Sequence, residues 1–345
     1  MTPLSIPSPP QEWSQFPLGE WLTGIFPWWP QTFLPVIHIY AIIIIIGIIA
    51  ATLLANARLT ARGAEPWVII DIAVWAVLLG IVGARLYHVL THPGDYFSAE
   101  VLANDPWAWA RVWDGGVAIF GALIGGGIGA FIASRILGLR FLSIADAVAP
   151  GLLIAQAMGR IGNYFNQELF GLPTDLPWGL EIDRPNPSIP VGLPEDTLFH
   201  PTFLYESLWN LLGVVVLILI ETRSRTVAGV RVVERREFWQ WGKVFGLYLV
   251  WYGIGRSFTE SIRLDQSESW LGIRTNVWGA IAAIVIGLLI IIYQSRNHPG
   301  AEPSVYRPGR EWEPDAGLDS DDTYYSEFDD AESTGEELAT SKSAP

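Results

Sequence analysis

The sequence predicts an all-α, polytopic integral membrane protein with about seven transmembrane helices, on three observations. Half of the 345 residues are hydrophobic and only 16% are charged, with a mean hydropathy of +0.32. A water-soluble domain carries more charge than that. The 17 tryptophans suit a chain that meets many bilayer interfaces. Apolar runs close to the roughly 20 residues that a helix needs to cross a hydrocarbon core recur along the chain. No cysteine is present. Disulfides, thiolate metal ligands and a cysteine nucleophile on the protein are thereby excluded, and any thiol chemistry must use a thiol from a substrate.

Residues 1–32 read as an N-terminal extension. They hold no Lys or Arg, so they lack the charged start of a signal peptide. The first span is Phe33–Ala55, "FLPVIHIYAIIIIIGIIAATLLA". The next are Trp67–Leu90, Gly115–Ala133, Ile144–Met158, Pro201–Ile220, Phe238–Phe258 and Leu271–Tyr293. Together they bound a membrane domain at residues 33–296. The third span, "GGVAIFGALIGGGIGAFIA", spaces small residues for close helix contact. A phosphate loop is the poorer reading of its glycines, because no strand precedes them and no Lys-Ser/Thr follows. The loop Leu172–Phe199 is rich in proline and predicts irregular structure at the bundle's outer face. No internal repeat supports a transporter built from two halves. The net charge is −14, of which residues 301–345 carry −10. Residues 297–345 are therefore expected to form an acidic, disordered cytoplasmic tail.

Loop charge sets the expected orientation. Arg58 and Arg62 follow the first span, Arg135 and Arg140 the third, five arginines the fifth, and Arg296, Arg307 and Arg310 the seventh. The alternate loops hold only Arg111, Arg160, Arg184 and Arg263. The N-terminus is therefore expected outside and the C-terminus in the cytoplasm.

Two polar groups then fall at the same outer level. In "MGRIGNYFNQELFG", Arg160 and Asn163 share a helical face, Gly159 and Gly162 leave it bare, and Glu168 follows as a pairing partner or base. In "LVWYGIGRSFTESIRLD", Tyr252, Arg256 and Glu260 recur at every fourth position. Each motif alone is compatible with a buried Arg–Glu tie between helices. Two arginines converging at one depth favour an anionic headgroup, since a guanidinium fork matches phosphate oxygens. Tyr40 in the first span and Arg85, Tyr87 and His88 at the end of the second are further candidates on that side. In "HPTFLYESLWN", His200 enters a helix and Glu206 calls for a buried partner such as an arginine. The five histidines show no metal-ligand spacing, and no basic nucleic-acid patch is present.

These motifs resemble a known family. "GRIGNYFNQELFG" meets every fixed position of the signature of prolipoprotein diacylglyceryl transferases, Gly-Arg-x-Gly-Asn-aromatic-x-Asn-x-Glu-x-x-Gly. "ARLYHV", "WDGGVAIFGALIGG", "HPTFLYES" and "YGIGRSFTE" resemble further elements of that family in order, over roughly residues 33–294. The resemblance implies a seven-helix enzyme of the bacterial plasma membrane with its site toward the outer leaflet. It implies transfer of a diacylglyceryl group from phosphatidylglycerol to the lipobox cysteine of a preprolipoprotein, without metal or cofactor. By position, Arg160 would hold the lipid phosphate. Asn163, Glu168, Gly171, His200 and Arg85 would complete the substrate-binding set. Tyr252, Arg256, Glu260 and Tyr40 would form the catalytic lining. One position departs from the pattern: Phe120 stands where many members carry a histidine, so Glu260 and Tyr252 become the alternatives for the thiol proton, ahead of His88 and His200. A phospholipid transporter and a non-catalytic scaffold are the competing classes.

Overall fold

The computed structural model describes residues 5–28, 37–227, 230–265 and 269–313. Seven helices of 18 or more residues run through the described residues. They are α1 (Ile39–Thr60), α2 (Val68–Thr91), α3 (Ile119–Ile136), α4 (Phe141–Phe165), α5 (Thr202–Glu221), α6 (Lys243–Ile262) and α7 (Thr275–Asn297). All except α6 are long and apolar enough to cross a membrane. α6 occupies the sixth expected span, but Lys243, Arg256 and Glu260 lower its hydropathy. Isoleucines 45, 46, 48 and 49 on α1, and Leu288, Leu289 and Ile292 on α7, are exposed. Glu260, Asp146 and Glu221 are buried. Apolar outside and charged inside is the arrangement that lipid selects.

The helices end where local chemistry ends them. α3 begins at Ile119 rather than Gly115, because Gly115 and Gly116 adopt φ of 84° and 65°. α6 begins at Lys243 rather than Phe238, after Gly242 at φ 91°. Its first turn is capped from another helix. The Asp146 carboxylate accepts from the amides of Gly242 and Phe245 at 2.8 Å each, meeting donors that a helix start leaves open. α4 runs past Met158 to Phe165, so the polar motif forms its last turns. Residues 29–36, which hold the expected start of the first span, lie outside the described residues.

The small-residue stripe of α3 faces α2. A Cβ at Gly121, Gly125 or Gly129 would collide with the carbonyl oxygens of Gly83, Leu79 and Trp75 respectively, so the two backbones touch. Elsewhere α1 packs on α4 and α6 on α7.

Successive helices alternate in direction, so the loops sort to two ends. At one end Arg58, Arg62 and Arg235 surround the buried Glu221. Here an antiparallel ribbon, β3 (Thr222–Val227) with β4 (Val230–Arg235), joins α5 to α6. Residues 302–310 return to this end. Val305 and Tyr306 are buried against Leu59, Val68 and Leu139, and the Tyr306 hydroxyl accepts from the Glu65 amide at 3.0 Å. The first part of the expected tail is therefore packed, because it supplies apolar side chains to a gap beside α1 and α2. Residues 314–345 lie outside the described residues.

At the other end the N-terminal segment lies on the proline-rich loop. A short ribbon pairs β1 (Gln15–Phe16) with β2 (Ile37–His38). Ile6 donates to the Gly179 carbonyl at 2.9 Å, and the Ser8 hydroxyl donates to Asp183 at 2.6 Å. Hydrogen bonds from Ser8 and Gln167 hold the Asp183 carboxyl below its ordinary value of 3.8. A lowered carboxyl contributes fully above the released value and loses that contribution as pH falls through the bound one. Hydrogen exchange at residues 5–9 should therefore quicken only below about pH 4. An Asp183→Asn variant should lose that acid dependence. An acid step retained in the variant would show that Asp183 is not its cause.

Candidate active site

Three helices carry one ion-pair chain. Arg160 on α4 reaches Glu206 on α5, Nε to Oε2, at 2.7 Å. Arg256 on α6 approaches the other oxygen of the same carboxylate at 3.7 Å and binds Glu260 one turn on at 2.7 Å. The expected convergence of Arg160 and Arg256 is thus present, with Glu206 between them. Their partner is the carboxylate for which the fifth span called.

A cavity of about 30 Å³ lies against this chain, lined by Gln156, Arg160, Glu206, Asn210, Tyr252 and Arg256 among others. Two polar atoms of its wall, Arg256 Nη1 and Gln156 Oε1, are buried without a hydrogen-bond partner. Burying such groups unpaired is unfavourable. A site that keeps an unmet guanidinium donor beside a second arginine is suited to an anion with several acceptor oxygens.

The rest of the signature extends from that point. Arg160 donates to Asn163 at 3.3 Å, and Asn163 donates to Glu168 at 2.8 Å. Asn166 donates to the same Glu168 oxygen at 3.1 Å. After α4 the chain turns sharply, with Gln167 and Leu169 at φ of 50° and 59°, a region that side chains rarely adopt. Gly171 then passes so close to His200 that an added Cβ would lie 2.7 Å from the His200 Cβ and 2.9 Å from the Ile262 carbonyl oxygen. Tyr40 packs on Gly162, one residue from Asn163.

Not every expected residue joins the cavity. Arg85 is buried, and its nitrogens donate to the carbonyls of Ala108, Trp109, Gly115 and Gly116 and to Tyr96. Its contacts shape the loop between α2 and α3, in which several carbonyls point inward for want of regular pairing. His200 lies 3.2 Å from the Tyr205 hydroxyl through Nδ1, and its backbone pairs with Gly171 and Leu172. It joins the signature to the start of α5. His88 stacks on His92 with ring centroids 4.5 Å apart. Phe120 packs between Tyr87 and Gly279.

Glu260 has a different character from the one expected. It is fully buried and takes four donors: Arg256 at 2.7 Å, Arg263 and Arg274 at 3.2 Å, and Asn276 at 3.1 Å. With its oxygens so engaged it is an anchor for α6 and α7 rather than a free base. Arg274, Asn276, Gln156 and Asn210 went unmarked in the sequence, and Arg263 was counted only as loop charge. Arg263 lay within the quoted motif, three residues beyond Glu260, the i,i+3 spacing that could have flagged it.

A family model described as prolipoprotein diacylglyceryl transferase matches residues 32–293. The chain is similar to a protein of Leifsonia xyli subsp. xyli named phosphatidylglycerol--prolipoprotein diacylglyceryl transferase. The two are 52% identical over 341 residues, covering 96% of this chain and 94% of that one. A protein of Streptomyces coelicolor named phosphatidylglycerol--prolipoprotein diacylglyceryl transferase 2 is 43% identical, over 76% of this chain and 77% of its own length. One of Bifidobacterium longum (strain DJO10A), which carries the transferase name without a number, is 41% identical over 77% and 84%.

Proposed function

The chain belongs to the prolipoprotein diacylglyceryl transferase family, and on that premise we propose that the cavity between α4, α5 and α6 is where its reaction takes place. The protein is a multi-pass membrane enzyme that transfers the diacylglyceryl group of phosphatidylglycerol to prolipoprotein. The unmet Arg256 donor beside the Arg160–Glu206 pair carries the assignment of the cavity.

The acceptor is the lipobox cysteine of the client, since this chain has no thiol of its own. Its sulfur attacks the glycerol carbon that bears the phosphate ester. The carbon–oxygen bond breaks, the electron pair leaves with glycerol phosphate, and a thioether remains. Negative charge grows on the phosphate oxygens, where donors fixed in advance act most strongly. Arg160 and Arg256 supply them. In the structure Glu206 occupies the position between these two arginines. When the phosphate takes over the guanidinium groups, the released Glu206 carboxylate becomes the acceptor for the thiol proton, with Tyr252 alongside in the wall. Phe120 needs no counterpart base in this scheme. The present cavity has about the volume of a single water molecule, so the headgroup enters as the Arg160–Glu206–Arg256 chain parts.

α6 crosses the membrane with the other six helices, as the sixth of seven spans. Its Lys243 and Glu260 face inward, Arg256 is nearly buried, and Ile254 and Phe258 face out. The arginine-rich end lies in the cytoplasm and the cavity opens toward the outer leaflet of the bacterial plasma membrane, in line with the loop charges. A transport path is the weaker reading. The buried polar groups at the two ends are separated by the apolar cluster of Ala149, Leu153, Leu217, Val244 and Tyr248.

The purified protein, with phosphatidylglycerol and a lipobox peptide, should shift the peptide's mass by one diacylglyceryl group. The unmodified chain, Phe120 included, should suffice. Absence of any shifted product under conditions that keep the protein folded would overturn the assignment.

A further inference from the structure

A second, larger cavity of about 560 Å³ lies at the same end of the bundle. Gln15 and His38 of the β1–β2 ribbon, Asn166 and Glu168 after α4, and Asp183 and Asn186 of the proline-rich loop line it. Its composition is the opposite of the first cavity's. Among the described residues no Lys or Arg lines it, whereas two carboxylates do. A phosphate has no cationic partner there.

The walls are held by a built network. Gln167 donates to Asp183 at 2.7 Å and accepts from the Asp183 amide at 2.7 Å, and Asn186 donates to the Gln167 carbonyl at 3.0 Å. Both amides that bind Glu168 donate to Oε1. No described residue donates to Oε2. The lining thus offers acceptors and amide groups at fixed positions, which suits backbone N–H groups and neutral or basic side chains. It is also joined to the reaction site, because the Arg160–Asn163–Glu168 hydrogen bonds run from one cavity to the other.

Resting on the transferase reading, we propose that this cavity is the subsite for the polypeptide segment that follows the modified cysteine, and that it selects neutral or basic residues over acidic ones. The two substrates are then sorted by charge: the anionic headgroup goes to the arginine cavity and the peptide goes to the carboxylate-lined one. The wall formed by Gln15 lies outside the region that the family model matches, residues 32–293, so part of this subsite comes from the N-terminal segment.

The test uses the full-length enzyme in proteoliposomes of phosphatidylglycerol. Lipobox peptides differ only after the cysteine, with neutral, lysine-containing or aspartate-containing sequences. Neutral and basic peptides should show kcat/KM roughly fivefold above the acidic one, the scale of a few partly screened charge contacts. Gln15 and His38 are exposed cross-strand partners, so both tolerate substitution. A Gln15→Lys/His38→Lys double variant should invert the ranking, and Gln15→Glu/His38→Glu should widen it. A ranking that is flat, or that is the same in both variants, would refute the subsite. So would an equal shift in the KM for phosphatidylglycerol, which would place these residues at the lipid. Failure to lipidate any peptide would instead overturn the transferase reading, and the subsite with it.

Discussion

Replacing Arg160 by alanine should lower kcat/KM by roughly 10²- to 10³-fold, the scale of losing one donor fixed on developing charge. The side chain makes one ion pair, to Glu206, and one hydrogen bond, to Asn163. It is about a quarter exposed, so its loss leaves the bundle's packing in place. Glu206 keeps Arg256 nearby at 3.7 Å. The variant should therefore reach the membrane folded, with a melting temperature close to that of the parent. Arg160→Lys retains the charge but not the two parallel donors, and should recover only part of the rate. Rates of lipidated peptide formation, read beside thermal unfolding, check this. Near-parental turnover in Arg160→Ala would remove the phosphate-holding role.

Glu260→Ala should affect stability more than any other single change at this end. The carboxylate is fully buried and binds three guanidinium groups. Removing it leaves Arg256, Arg263 and Arg274 facing one another without their common counter-ion. Breaking a buried ion pair by deleting one partner typically costs about 3–5 kcal/mol. Arg263 keeps Asp265, which it binds through two bonds of 2.7 Å, and Arg274 keeps the carbonyls of Arg263 and Asp265. Those remaining partners place the expected effect at the lower end of that range. Thermal unfolding in detergent would measure it, and Glu260→Gln should fall between parent and alanine. An alanine variant as stable as the parent would mean that the three arginines are held by other contacts.

The apolar runs alone located the helices, because a lipid-spanning segment has little freedom in composition. Their ends were less legible. The starts of α3 and α6 depend on glycines at positive φ and on a carboxylate from another helix, none of which periodicity reports. The closeness of Arg160 to Asn163, and of Tyr252 to Arg256 and Glu260, was legible because three- and four-residue spacings put each set on one helical face, whereas Glu168 reaches Asn163 only through the turn after α4. Glu206 was legible as a group in need of an arginine, though not as the link between two. Arg58 and Arg62 were counted as loop charge, yet they also bind the buried Glu221. Charge statistics cannot separate a charge that sets topology from one that closes a buried pair, and these two arginines close such a pair. The contacts of Arg85 were not legible for a related reason: an arginine's many donors suit a headgroup, but they equally suit the loop carbonyls that Arg85 binds.

The packing of Val305 and Tyr306 against Leu59 and Val68 has a consequence for the order in which the protein is made. The first two helices leave the ribosome long before the residues that cover their arginine-rich ends. A contact between residues some 240 positions apart, such as that of Tyr306 with Glu65, can form only after all seven helices have been made. Until then Leu59, Ala64 and Val68 at that end lack their cover, and the last stretch of the described chain acts as a clasp on the first.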